Sequence, residues 1–168
     1  MGIFDKLFGR NEELISLDVS DEDIVAIADG KMIDITSVPD PVFAEQMMGK
    51  SVAFSYEKDK VTLCSPANGT LKLLFPTGHA FGIMMKDGVE LLIHCGIDTI
   101  NSKGDGFRIL KKKQGDPVKA GDPIVEVDIK KLSASYDMST ILIITDPKEK
   151  EFEFIDLQNV VRGQSLLK

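Results

Sequence analysis

The chain holds only two histidines, His79 and His94, placed almost symmetrically about Asp87-Gly88, a residue pair that marks a hairpin turn. Apolar runs flank the turn: His79-Ala80-Phe81-Gly82-Ile83-Met84 before it, and Val89-Glu90-Leu91-Leu92-Ile93-His94-Cys95 after it. A two-residue loop, Asp87-Gly88, sets Phe81 opposite His94 and His79 opposite Gly96. A four-residue loop, Met85 to Gly88, sets the two histidines opposite each other. Side chains alternate along a strand, so both registers put the imidazoles on one face of the sheet. Their Cβ atoms then lie about 5 Å apart if opposed, or roughly 7 Å if diagonal. Only an odd-length loop or a bulge sends them to opposite faces.

Two adjacent neutral imidazoles can hold a metal ion, or one can act as a nucleophile while the other donates a hydrogen bond to the incoming group. They can also be two core histidines satisfied by backbone. The neighbours favour the nucleophile pair. Gly96 removes side-chain bulk beside His94, and Phe81 and Leu92 supply an apolar surround in place of further ligands. Thr77 offers a hydroxyl that can fix the tautomer of His79. A catalytic zinc site normally takes three protein ligands. The chain has no third histidine, which counts against a zinc hydrolase.

The elements that must carry these residues read as β-rich. Alternation and turn residues predict strands over Ile24–Ala28, Lys31–Thr36, Val52–Tyr56, Val61–Cys64, Thr70–Phe75, Phe81–Met84, Val89–Cys95, Ile124–Asp128 and Thr140–Thr145. Only Phe43–Met48 and Lys130–Tyr136 read as interior helices, both short. Many short strands with frequent turns predict an all-β antiparallel sandwich or barrel. Ala28-Asp29-Gly30-Lys31-Met32 and Ala67-Asn68-Gly69-Thr70-Leu71 echo each other as turns entering strands.

A length of 168 residues predicts one domain with a substantial core. Hydrophobic residues make up 43% and charged residues 28%, the balance of an ordinary soluble globule. A formal charge of −7 argues against nucleic acid and suits partners with basic faces. Lys111-Lys112-Lys113 reads as a solvated loop. Cys64 and Cys95 lack metal-type spacing, and no apolar run approaches membrane-spanning length, so a cytoplasmic protein with reduced thiols is expected. Residues 1–20 read as a flexible tail before a single domain over 21–168. In it Ile3, Phe4, Leu7 and Phe8 share one helical face, with Lys6 and Arg10 elsewhere. Such a segment is expected to touch anionic lipid weakly, if it is more than a frayed terminus.

Gly88-Val89-Glu90-Leu91-Leu92-Ile93-His94-Cys95-Gly96-Ile97-Asp98-Thr99-Ile100 closely resembles the phosphorylation-site signature of the glucose-type IIA component of the bacterial phosphotransferase system. Gly78-His79-Ala80-Phe81, with Thr77 ahead of it, resembles the segment around that family's second histidine. Ser37-Val38-Pro39-Asp40-Pro41-Val42-Phe43-Ala44-Glu45 and Lys103-Gly104-Asp105-Gly106-Phe107 match further family segments, in the same order. Two positions depart from it: Cys95, where a large apolar residue is usual, and Leu92, where enteric members often carry an aromatic. Strand alternation points Cys95 away from His94, into the core.

The resemblance implies a sandwich of the duplicated hybrid motif type and a phosphohistidine relay needing no cofactor. In that relay His94 takes a phosphoryl group from the histidine phosphocarrier and passes it to a cysteine of a sugar transporter's IIB domain. His79 stabilises the phosphoryl group and Thr77 orients His79. Asp40 and Asp98 receive an arginine of the phosphocarrier, though an extended strand would hold Asp98 about 13 Å from His94. Val42, Phe43, Met47, Met48, Phe75, Phe81, Leu92 and Gly96 complete the expected partner surface. The family also includes regulators that bind permeases and kinases when unphosphorylated, in complexes where both histidines can share zinc with a partner's carboxylate. Val118-Lys119-Ala120-Gly121-Asp122-Pro123-Ile124 resembles a turn of lipoyl and biotinyl barrels, but no lysine has the carrier setting of Met-Lys-Met.

Overall fold

The computed structural model describes residues 14–168. An antiparallel sheet of eight strands faces a smaller antiparallel sheet of three. The large sheet contains β1 (Gly30–Ile33), β2 (Lys50–Ser55), β4 (Gly69–Leu74), β5 (Ala80–Met85), β6 (Glu90–Cys95), β8 (Pro117–Val118), β10 (Thr140–Asp146) and β11 (Asn159–Val160). Its order is β11-β1-β2-β10-β6-β5-β4-β8. The small sheet joins β3 (Lys60–Cys64), β9 (Pro123–Asp128) and β7 (Phe107–Ile109) in the order β3-β9-β7. Two short helices, α1 (Pro41–Ala44) and α2 (Ile129–Ser133), complete the all-β sandwich expected from the sequence.

Alternation explains which side chains fill it. Leu91, Ile93 and Cys95 of β6 point inward with Phe81 and Ile83 of β5 and Val125 and Val127 of β9. Each such aliphatic or aromatic side chain contributes roughly 1.5–3 kcal/mol on burial. Strand β10 breaks the alternation, because residues 140–144 are all buried. Leu142 and Ile144 face the main core, while Ile141 and Ile143 face a second apolar cluster with Val38, Phe43, Ala53 and Ile97. A strand buried on both faces reads as a continuous apolar run, as Ile141-Leu142-Ile143-Ile144 does.

The cover over that second cluster is the segment from Asp34 to Gly49. Asp34 accepts a hydrogen bond from Thr36 N (2.9 Å) and starts a 3-10 turn, Ile35–Ser37, which ends β1 at Ile33 rather than at Thr36. Asp40 accepts from Val42 N (2.9 Å), and Pro41 fills the first helical position. The helix therefore begins two residues earlier than predicted and ends at Ala44, just before Gln46 takes a positive φ of 55°. The predicted Lys130–Tyr136 helix likewise starts at Ile129, where Asp128 caps Lys131 N, and ends at Ser133.

Ile24–Ala28 is fully buried but is not a strand. Val25 N–H donates to Pro66 O and Ala26 N–H to Gln164 O, so its bonds are divided between irregular neighbours, with one bridge to Ser165. β7, β8 and β11 lie outside the nine predicted strands, being two or three residues long. Of the tail expected over 1–20, the amphipathic residues 3–10 lie outside the described residues. Residues 15–19 are held against the domain: Arg162 donates to Ile15 O (2.9 Å) and Asn68 to Val19 O (2.8 Å).

Candidate functional site

The hairpin loop has three residues, Lys86-Asp87-Gly88. Met85 N–H donates to Val89 O (2.8 Å) and Gly88 N–H to Met85 O (3.0 Å), with Gly88 at φ +93°. This is a turn closed by a left-handed glycine bulge, the odd-length case. The register pairs Ala80 with His94 and Phe81 with Ile93. Phe81 is therefore fully buried in the core, and neither faces His94 nor belongs to a partner surface, contrary to expectation. Continued alternation would also carry His79, opposite Cys95, to the core face. It does not, because His79 precedes β5 and follows Gly78, whose φ is +78°. Its carbonyl still accepts from Cys95 N–H (2.8 Å), but its ring turns to meet that of His94 edge-on, with centroids 5.1 Å apart and planes at 82°. The two imidazoles do come together, by a route that strand parity did not foresee.

His79 is only 3% exposed. Its Nδ1 lies 2.5 Å from Thr77 Oγ1, and its ring meets Phe75 edge-on at 5.1 Å. His94 stands on the outer face of β6, paired with Ala80 on one side and Ile141 on the other. Its ring is half-buried and lies 4.9 Å from that of Phe43, at 49°. His94 Nδ1 is buried with no partner in hydrogen-bond geometry, although the Gly96 backbone lies near enough to favour the protonated ring. Burial pushes the His94 pKa down to about 4, and the neighbouring His79 pushes in the same direction. Asp40 and Asp98 pull weakly the other way. Burial lowers the pKa of His79 as well. Both rings are neutral near pH 7, and the less buried nitrogen of His94 is Nε2.

The chain bends sharply after β6. Gly96 has φ +82°, and a Cβ built there would stand 2.3 Å from Thr99 Cγ2 and 3.0 Å from Met138 Sδ. Its missing side chain thus makes room for the turn rather than for the His94 ring, and Gly96 itself is buried. Thr99 Oγ1 donates to Cys95 O (2.6 Å), which holds the bend. Asp98 follows at φ +61° with its side chain exposed, so its charge reaches His94, as an extended strand would not allow. Cys95 is buried as expected, accepts a hydrogen bond from Thr140 Oγ1 (3.4 Å), and has its pKa pushed up to about 12 by burial.

Of the remaining partner-surface residues, Val42 (40%), Met47 (68%) and Met48 (42%) are exposed. Phe75 and Leu92 are half-buried, and Phe43 is almost wholly buried. Sequence reading passed over Ile100, 51% exposed two residues after Asp98, and Ile141, Thr99 and Met138 beneath the site. It also left the Lys103–Phe107 segment without a role. Gly104 packs over Thr77, and Phe107 over Gly78, so this segment backs the Thr77-Gly78-His79 turn. Its glycines were the available signal. Among the described residues no three His, Cys, Asp or Glu side chains are grouped to hold a metal ion.

The family model for the phosphoenolpyruvate-dependent sugar phosphotransferase system, EIIA 1, matches residues 22–150. The chain belongs to this EIIA family. The glucose-specific EIIA component of Haemophilus influenzae is 37% identical over 168 residues, 99% of this chain and 97% of that one. That of Staphylococcus epidermidis is 35% identical over 167 residues, 97% of this chain and 95% of the relative. A glucoside-specific EIICBA component of Staphylococcus carnosus carries an EIIA-like part, 38% identical over 86% of this chain and 20% of that protein. The solved glucose permease IIA of Mycoplasma capricolum superposes with a TM-score of 0.79 at 34% identity, covering 86% of this chain and 93% of that one. As an EIIA protein, the chain is a phosphoryl-transfer component of sugar uptake.

Proposed function

We propose that His94 takes a phosphoryl group from the phosphohistidine of the histidine phosphocarrier and hands it to a cysteine of a transporter IIB domain. The pairing of a half-buried, neutral His94 with a buried, Thr77-bonded His79 carries this reading. In the first step the Nε2 lone pair of His94 forms a bond to phosphorus as the carrier's N–P bond breaks, and the carrier imidazole leaves with the electron pair. In the second, a IIB thiolate attacks the same phosphorus and the His94 N–P bond breaks. Phosphoryl transfer is catalysed mainly by positioning and charge stabilisation.

His79 supplies that stabilisation. With the Thr77 hydroxyl donating to Nδ1, the His79 proton sits on Nε2, where it donates to a phosphoryl oxygen on His94. Asp40 and Asp98 hold an arginine of the carrier, and their charges disfavour a lingering phosphate dianion. Val42, Met47 and Met48 give both partners one adaptable apolar surface. The relay requires no cofactor. His79 and His94 supply two zinc ligands, so zinc binds only where a partner adds a carboxylate. Among the described residues no helix is long and apolar enough to cross a membrane. We place the relay in the cytoplasm, with glucose or a related sugar as its transported substrate.

A single experiment separates the two histidines. His79→Gln charged by phosphocarrier and then offered IIB should retain its label and pass it on at least tenfold more slowly than wild type. Equal onward rates would remove His79 from the chemistry. The exposed apolar rim also favours a second use, as a binding module for permeases or kinases. Phosphate adds about two negative charges to that rim, so binding there should be lost on phosphorylation, and binding indifferent to it would contradict this use.

A further inference from the structure

The two imidazoles are held in unlike ways. His79 has a hydrogen bond to Thr77 that sets its plane. His94 Nδ1 is buried beside the Gly96 backbone, which favours the protonated ring but meets it outside strict hydrogen-bond geometry. A ring with one such backbone contact still needs packing to block its other rotamers. Two rings pack on His94, that of His79 at 5.1 Å and that of Phe43 at 4.9 Å.

Phe43 is 8% exposed, so it offers little surface to a docking protein. Its own position is strongly determined. It is the buried residue of α1, on a helix whose start is set by Asp40 and Pro41. It belongs to the second apolar cluster with Val38, Ala53, Ile97, Ile141 and Ile143, of which Ile141 is the strand partner of His94. Neighbouring Val42, on the same helical turn, is 40% exposed and faces out. The helix thus presents one residue outward and one to the reacting ring.

We propose that Phe43 is a positioning residue for phosphoryl transfer: carried on the Asp34–Gly49 cover, it clamps the His94 ring so that Nε2 points at the incoming phosphorus. This goes beyond the expectation that Phe43 is part of the partner surface, and it rests on the reading of His94 as acceptor only for its kinetic consequence. Losing the clamp leaves docking intact and spends time in misdirected rotamers, so it lowers kcat and leaves KM for the carrier in place. Losing a docking residue does the reverse.

The test uses full-length wild type, Phe43→Leu, Phe43→Ala and Val42→Ala. Phe43→Leu keeps an apolar group of similar bulk in the cluster, and its amide spectrum reports that the sheet is intact. Carbon-13 relaxation at the His94 ring of the unphosphorylated protein reads the clamp directly, whether or not the relay operates. The expected result is a rigid ring in wild type and Val42→Ala and a mobile one in both Phe43 variants. In transfer from the phosphocarrier, Phe43→Leu should lose fivefold or more in kcat with KM within twofold, whereas Val42→Ala should raise KM. A His94 ring as rigid in folded Phe43→Leu as in wild type overturns the clamp, as does a raised KM at unchanged kcat. Wild type that takes no phosphoryl group would instead overturn the relay, and the relaxation data would still decide the clamp.

Discussion

At the scale of single residues, His94 combines two properties that usually oppose each other: it is partly withdrawn from water, yet reachable at one nitrogen. Withdrawal brings its pKa to about 4, so the neutral ring that the proposed relay needs persists well below pH 7. The sign of the linked stability follows. Between about pH 4 and the unfolded value near 6.5, the unfolded chain binds the proton that native His94 refuses. Stability is therefore full above pH 6.5 and declines as the pH falls toward 4, by on the order of 3 kcal/mol. Urea melts of wild type and His94→Gln at pH 7.5 and 4.5 should show that loss in wild type beyond the loss in the variant; parallel losses would contradict it. Thr77→Val removes the bond to His79 Nδ1 and should slow onward transfer from phosphorylated His94 five- to fiftyfold, with charging less affected. At this scale the sequence was informative: both histidines and Thr77 could be picked out by residue type and the inward Cys95 by alternation, although spacing gave the wrong reason for the histidines' meeting. What it could not show was Phe43 against His94, since that contact joins residues 51 positions apart.

At the scale of elements, small irregularities decide where the chemistry sits. A hairpin loop of odd length, where two or four residues were expected, turned Phe81 from the expected partner surface into core, and the bend at Gly78-His79 restored the meeting of His79 with His94. Parity is invisible in Asp87-Gly88, because a left-handed glycine serves two-residue and three-residue loops alike. The bend after β6 is the other such device. Gly96→Ala requires a left-handed alanine whose Cβ meets Thr99 at 2.3 Å, and should cost about 2–4 kcal/mol in a urea melt. Since the bend places Asp98 near His94, the variant should also lose more phosphoryl acceptance than its folded fraction explains. A fully active, equally stable Gly96→Ala would show that the bend is not required. The cover from Asp34 to Gly49 was only half legible: a short helix was expected over Phe43–Met48, but neither its earlier start at Pro41 nor the packing of its buried face beside His94 was foreseen.

At the scale of the whole molecule, two unequal antiparallel sheets leave the outer face of the larger one to carry the site. The β-rich class and most strands were evident from alternation, while β7, β8 and β11 were too short to show it. The chain carries a net charge of −7, and Asp40 and Asp98 stand at the site, so the proposed encounter with a basic-faced carrier would be electrostatically steered. Charging should slow as salt is raised from 50 to 500 mM, and Asp98→Asn should flatten that dependence while raising KM severalfold. A salt response identical to wild type would remove Asp98 from the encounter. The most direct measurement is the phosphoryl acceptor itself. Wild type and His94→Gln, each incubated with phosphoenolpyruvate, the general enzyme and the phosphocarrier, would be scored for acid-labile, alkali-stable label. Stoichiometric label on wild type and none on His94→Gln is the predicted result. Label that persists on His94→Gln, or never forms on wild type, would contradict His94 as the relay residue.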